Sequence, residues 1–247
     1  MRKLFFFLSM FIGWPLVMNA QIGQHRDDLT IGVNGGYILS SVSFNPKVVQ
    51  SKHGGLTGGL TIRYTSEKYF STICSLQGEI NYAQVGWKDN PLDAKDQPVI
   101  NKVTGVKEEY SRTINYLQIP LLAHLAWGKE GHGAQFFVNL GPQLGAYLSE
   151  STKMNFDFKD INLSDRANTI VAQDTMAVEK KFDYGIVAGA GLEYTIPKIG
   201  HFLVEARYYY GLGNLYGDSK RDYFGSSNLG NIVIKMSYLF DIRRTKK

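Results

Sequence analysis

Apolar and polar residues alternate with a period of two in eight separate runs, and helical periodicity is nearly absent. The first run sets Leu29, Ile31, Val33, Tyr37 and Leu39 against Thr30, Gly32, Asn34, Gly36 and Ser40. The second alternates Leu56, Leu60, Ile62 and Tyr64 with Thr57, Gly59, Thr61 and Arg63. In the third, Leu76, Ile80 and Tyr82 oppose Gln77, Glu79 and Asn81; in the fourth, Ile119, Leu121 and Leu125 oppose Gln118 and His124. The second half repeats the pattern over 136–148, 184–194, 202–212 and 232–240. Successive side chains of a strand point to opposite faces, so each run predicts a strand with one apolar and one polar face.

Eight such strands could close a soluble sandwich or a membrane barrel, and the faces discriminate. The polar faces carry repeated Gly, which a solvent-facing strand does not need and a crowded barrel interior does. The apolar faces carry Tyr, Trp or Phe near their ends, as lipid-interface girdles require. Run lengths of roughly 10–14 residues suit a tilted bilayer crossing. The connections alternate strictly, long at 45–55, 88–111, 150–181 and 213–227, short at 66–69, 128–133 and 197–200. Short periplasmic turns and longer outside loops are the habit of outer-membrane barrels. The expected fold is all-β, an eight-stranded antiparallel transmembrane up-and-down β-barrel in the outer membrane, with both termini periplasmic.

Composition narrows the picture further. A mean hydropathy of −0.18 excludes a bundle of membrane helices. Arg2 and Lys3, the apolar stretch 4–17 and Met18-Asn19-Ala20 predict a secretory signal peptide over 1–20, leaving 21–247 as the barrel domain. Its removal leaves 25 Lys+Arg against 22 Asp+Glu, a net of +3, too little to argue for nucleic acid. The single Cys excludes a disulfide framework and a thiolate zinc site, and the five His show no ligand spacing, so no metal or cofactor is expected.

The polar faces hold Arg63, Glu79, Glu193, Glu205, Arg207 and Lys235, with His124 beside them. All but Glu79, which lies higher, fall in the periplasmic half. Such charges cannot stay unpaired in a narrow interior, so a network that plugs the lumen and fixes strand register is expected. A selective conduit for a small solute and a gated state remain open.

Catalytic signatures are poor. His53, with Ser51 nearby, falls in a predicted loop and His132 in a short turn; neither has an orienting carboxylate on an adjacent strand, so both read as solvated loop residues. Gly189-Ala190-Gly191 and Gly211-Leu212-Gly213 match fragments of a nucleotide loop without the helix that must follow. The chain is read as no enzyme, with lipid A modification a remote alternative. The long loops are the expected contact surface. Phe156 and Phe158 predict a hairpin rising above the membrane, and Tyr216, Lys220, Arg221, Tyr223 and Phe224 form a candidate docking loop. Tyr238 and Phe240 supply an aromatic strand terminus for insertion, before a short tail at 241–247.

The stretch from Phe182-Asp183-Tyr184-Gly185 to Gly191-Leu192-Glu193-Tyr194, with Asn115-Tyr116-Leu117-Gln118-Ile119-Pro120-Leu121-Leu122, resembles the PorT-type outer-membrane β-barrels of the Bacteroidetes. Glu205-Ala206-Arg207-Tyr208-Tyr209-Tyr210-Gly211-Leu212, Lys220-Arg221-Asp222-Tyr223-Phe224 and Tyr238-Leu239-Phe240-Asp241 extend the resemblance over the mature chain. Gln118 departs from it, since such proteins often carry Glu there. The resemblance implies a component or assembly factor of a type IX-like protein secretion machinery, embedded in outer-membrane lipid and lipopolysaccharide and joined to protein partners. A stand-alone structural or narrow-pore porin-like protein is the alternative. Asp174-Thr175-Met176 is similar to the short O-glycosylation motif of exported Bacteroidetes proteins.

Overall fold

The computed structural model describes residues 23–217, 219 and 222–245. The expected signal peptide lies outside them, as do Lys220 and Arg221. The strands are β1(Gln24–Asn45), β2(Ser51–Tyr69), β3(Thr72–Asp89), β4(Tyr110–Gly128), β5(Gly133–Met154), β6(Phe182–Ile196), β7(Gly200–Asn214) and β8(Ser226–Arg243). Each pairs antiparallel with the next, and β8 returns to β1 to close the ring. At the seam Val33 stands opposite Leu60 on one side and Tyr238 on the other. Closure matters because an open strand edge in lipid leaves backbone groups without partners.

All eight runs fall within strands, and their apolar faces point outward. Val33, Leu60, Ile80, Leu140, Ile186 and Met236 are each 50–66% exposed on the wall, while Asn34, Thr61, Glu79, Asn139 and Asn231 are buried inside. A soluble sheet protein has the opposite arrangement. Interior glycines give the packing its tolerance. At Gly32, a side chain would meet the Tyr238 carbonyl across the seam at 1.8 Å; at Gly189 it would lie 2.7 Å from the Glu205 carboxylate.

Four expectations change. The strands run 15–22 residues rather than 10–14, because they continue past the lipid band and carry the long loops above it. The first long link shrinks to 46–50 as β2 begins at Ser51, and the others are 90–109, 155–181 and 215–225; the turns at the opposite end are 70–71, 129–132 and 197–199. Phe156 and Phe158 form no hairpin: β5 stops at Met154 and Phe156 turns down into the barrel, 6% exposed. The tail at 241–247 is also shorter than expected. β8 runs to Arg243, with Asp241 opposite Thr30 and Ile242 continuing the outward apolar face.

Candidate functional site: the filled lumen

Of the six charged residues expected inside, the structure brings together all six, each 2–6% exposed, in two linked clusters. In the first, Arg63 Nη1 and Nη2 donate to the two oxygens of Glu193 at 2.5 and 3.1 Å. In the second, Arg207 donates from Nη1 and Nη2 to Glu79 at 2.9 and 2.6 Å and from Nε to Glu205 at 2.6 Å. Lys235 completes it with an ion pair to Glu79. Gln77 and Asn81 donate to the same carboxylate at 2.8 Å each, and Glu79, opposite Thr61, stands on a rung further from the β2–β3 turn than Arg63.

His124 joins the clusters. Its Nε2 accepts from Arg63 Nη1 at 3.2 Å, while Nδ1 donates to Asn139 Oδ1 at 2.8 Å. Asn139 in turn donates to Glu205 at 2.7 Å. At the end where the strands are joined by short turns, His201 stands between Glu193 and Asp241, 2.7 and 3.0 Å away, beside a cavity of about 60 Å³. Gln118 faces inward and lines a void of about 20 Å³ with Arg207 and Lys235, space for about one water.

Above this level the interior turns apolar. Ile38, Val42, Val85, Ile114, Tyr116 and Leu229 are buried and continue into a ring cluster of Phe44, Trp87, Tyr216 and Phe224. Phe44 lies 4.9 Å from Phe224 and 5.5 Å from Trp87 between ring centroids. The β7–β8 link reaches inward because Ser227 Oγ accepts from both Leu215 and Tyr216 N–H groups at 3.0 Å. The long link after β5 closes the top through a short helix, α1(Ala172–Thr175). Arg112, 5.4 Å over the Trp87 ring, donates to the carbonyls of Gln173, Asp174 and Met176, and Tyr216 donates to Gln173 O at 2.9 Å. A second lock joins Arg166 to Glu108 at 2.7 Å, both nearly without exposure.

This cork is what sequence reasoning missed, and it relocates the docking loop. Tyr216 and Phe224 are 0% exposed, because aromatic rings at the mouth gain more from the interior than from water. Of the five docking candidates Tyr223 is exposed, and Lys220 and Arg221 lie outside the described residues. A signal for the cork exists in Val85 and Trp87, which keep the interior parity of Glu79 and Asn81 but are apolar.

The remaining candidates are placed as follows. Tyr238 donates to Ile199 O at 2.7 Å, and Phe240 faces outward near the end of β8. His53 is not a solvated loop residue: it lies in β2, 6% exposed, with Nδ1 3.3 Å from Ser111 Oγ and Nε2 3.1 Å from Thr113 Oγ1. Its burial comes from packing against Ser111 and Thr113 of β4, with Lys88 of β3 nearby, and Ser51 is not its partner. Thr175 is exposed at the end of α1. Among the described residues no group of His, Cys, Asp or Glu could hold a metal ion.

The profile of the Outer membrane protein beta-barrel domain family matches residues 19–217. Among solved structures the chain is similar to Neisserial surface protein A, at 8% identity over 85% of this chain and 95% of that one, TM-score 0.43. It is also similar to OprG from Pseudomonas aeruginosa, at 13% identity over 88% and 98%, TM-score 0.40. Ail, the attachment invasion locus protein of Yersinia pestis, solved with the heparin analogue sucrose octasulfate, gives 13% identity over 87% and 99%, TM-score 0.37. No curated protein matches the chain.

Proposed function

The chain belongs to the outer membrane protein beta-barrel domain family, and on that premise we propose that it is a non-conducting, non-catalytic barrel serving as a membrane-embedded subunit of a larger protein assembly. Membership places it in the outer membrane, within lipid and lipopolysaccharide. The observation that carries the reading is a lumen filled at two levels, with a void of about 20 Å³ between them. Nothing larger than water fits there, and any route for a solute would require uncoupling Arg207 from both Glu79 and Glu205. A barrel closed in this way works through its surfaces. Its long loops face outside and its termini the periplasm, as the loop asymmetry supports. The resemblance to PorT-type barrels supports a type IX-like secretion machinery as that assembly.

Two measurements test this. In planar bilayers the purified barrel should give no ohmic steps; steady conductance would favour the narrow-pore alternative. Tagged protein solubilised in mild detergent from its own cells should carry partners identifiable by mass spectrometry. Recovery alone, with and without prior cross-linking, would sink the assembly role and leave a stand-alone structural barrel.

A further inference from the structure

The outer wall carries a groove of about 770 Å³ at the upper ends of β1 and β8, beneath the β1–β2 link. Its floor is made of small residues: Ser41 and Ser43 stand opposite Gly230 and Asn228 across the seam. One wall is aromatic, formed by Tyr208 and Tyr210, 50% and 56% exposed on the outward face of β7. The opposite wall is cationic, formed by Lys47 and Lys52.

The groove is built, not a gap between mobile loops. Beyond the pair Ser40–His53 the tip of β2 lifts away from β1, and Ser40, 3.3 Å from His53 O, also reaches β3, its Oγ donating to Gly86 O at 3.0 Å and accepting from Gly86 N–H at 2.8 Å. The β1 edge thus exposed is covered by the Gln50 carboxamide, whose Oε1 accepts from Val42 N–H at 3.1 Å while Nε2 donates to Val42 O. This fixes the link and sets both lysines along the groove.

Its charge is unbalanced. No carboxylate lines it, and among the described residues neither Lys47 nor Lys52 has an ion-pair partner. Its height matters too. On the proposed orientation the exposed Tyr208 and Tyr210 fit the upper aromatic belt, where acyl chains give way to headgroups, with the lysines beyond it. Below, Ile232 and Ile234 present an apolar track on β8.

We propose that this groove binds the phosphorylated sugar headgroup of an outer-leaflet glycolipid. Its phosphate sits on Lys47 and Lys52, its sugar ring lies against Tyr208 and Tyr210, and an acyl chain follows Ile232 and Ile234. Ammonium groups suit a phosphate as charge-assisted donors, and amphipathic tyrosines suit a sugar face at the lipid boundary. The assignment rests on the orientation proposed above, with the long loops outside.

The test is native mass spectrometry of the full chain in detergent, titrated with bisphosphorylated lipid A, dephosphorylated lipid A and phosphatidylglycerol. The bisphosphorylated form should bind about tenfold more tightly than either other lipid. Lys47→Ser with Lys52→Ser should abolish that preference, whereas Lys88→Ser with Lys153→Ser, on another part of the wall, should keep it. Heat-modified gel mobility checks that both variants remain folded. Equal binding of the three lipids, or equal loss in the two variants, would overturn the site. A surface tag in 155–181 reads orientation independently. Preference lost with the tag reachable on intact cells indicts the groove alone; a tag reachable only from the periplasm overturns the outer-leaflet assignment.

Discussion

Glu79 receives donors from Arg207, Lys235, Gln77 and Asn81, so its carboxylate is fully satisfied although 2% exposed. Removing one partner of such a group leaves a charge stranded, which costs far more than the pair itself contributes. Arg207→Leu should therefore destabilise the barrel by about 3–5 kcal/mol, read as urea unfolding of the lipid-embedded protein. Combining it with Glu79→Gln and Glu205→Gln should recover most of that loss; no recovery would mean that packing, not charge, set the cost. Arg63→Leu should cost less, because Glu193 keeps His201 at 2.7 Å. At the mouth, Asp174 is 4% exposed. Its pKa is pushed up to about 7, first by burial and then by the neighbouring Asp89 charge, against the pull of Arg166 and Arg112. The folded loop thus keeps a proton that the unfolded chain releases near pH 4, so stability of the lid falls as pH rises from about 4 to 7 and is level above. Protease cutting within 155–181 should be faster at pH 8 than at pH 5. Asp174→Asn should reduce the difference to the smaller part that Asp89, raised to about 6 chiefly by burial, contributes, and an unchanged response in that variant would assign it elsewhere.

At the scale of the strands, β8 carries two separate demands. Phe240 faces outward where an insertion signature is proposed, whereas Arg243 ties the seam to Asp27 of β1 at 2.5 Å and Asp241 ties β8 to His201 of β7 at 3.0 Å. Truncation after Arg243 should leave folded protein in the outer membrane, although it removes the Thr245 contacts to Asp27 and Asp28. Truncation after Phe240 should lower thermal stability while still permitting insertion, and Phe240→Asp should deplete the membrane fraction. A silent Phe240→Asp would remove the aromatic terminus from the account. Strand existence was legible because lipid outside and polar packing inside impose opposite demands on alternate residues. Strand length was not. Above the upper tyrosines water replaces lipid outside, and the interior becomes the apolar side, as Val85, Trp87, Ile114 and Tyr116 show. The parity persists while its polarity inverts, so a search for apolar-out alternation stops at the girdle. Membership of the charge network was legible from face alone. The pairings were not, because Arg207 and Glu79 are separated by 128 residues and Arg63 and Glu193 by 130.

For the whole molecule, the arrangement is a lipid-facing wall, a charged lower lumen and an aromatic cork bound down by its own loops. A tag between Glu150 and Lys181 should be reachable on intact cells, and one after Lys247 only once the outer membrane is opened; the reverse labelling would invert the topology. The charge network also bears on how the molecule is made. Up to the end of β7 five of the six central side chains are present, Arg63 and Arg207 against Glu79, Glu193 and Glu205, two cations for three anions. The third cation, Lys235, arrives on β8, the strand that pairs with β1 and shuts the ring. A chain stalled before that point therefore has both an unpaired edge and surplus negative charge, and its centre must stay wet. Drying of the centre can follow only when the last strand docks, so electroneutrality itself marks the finished barrel.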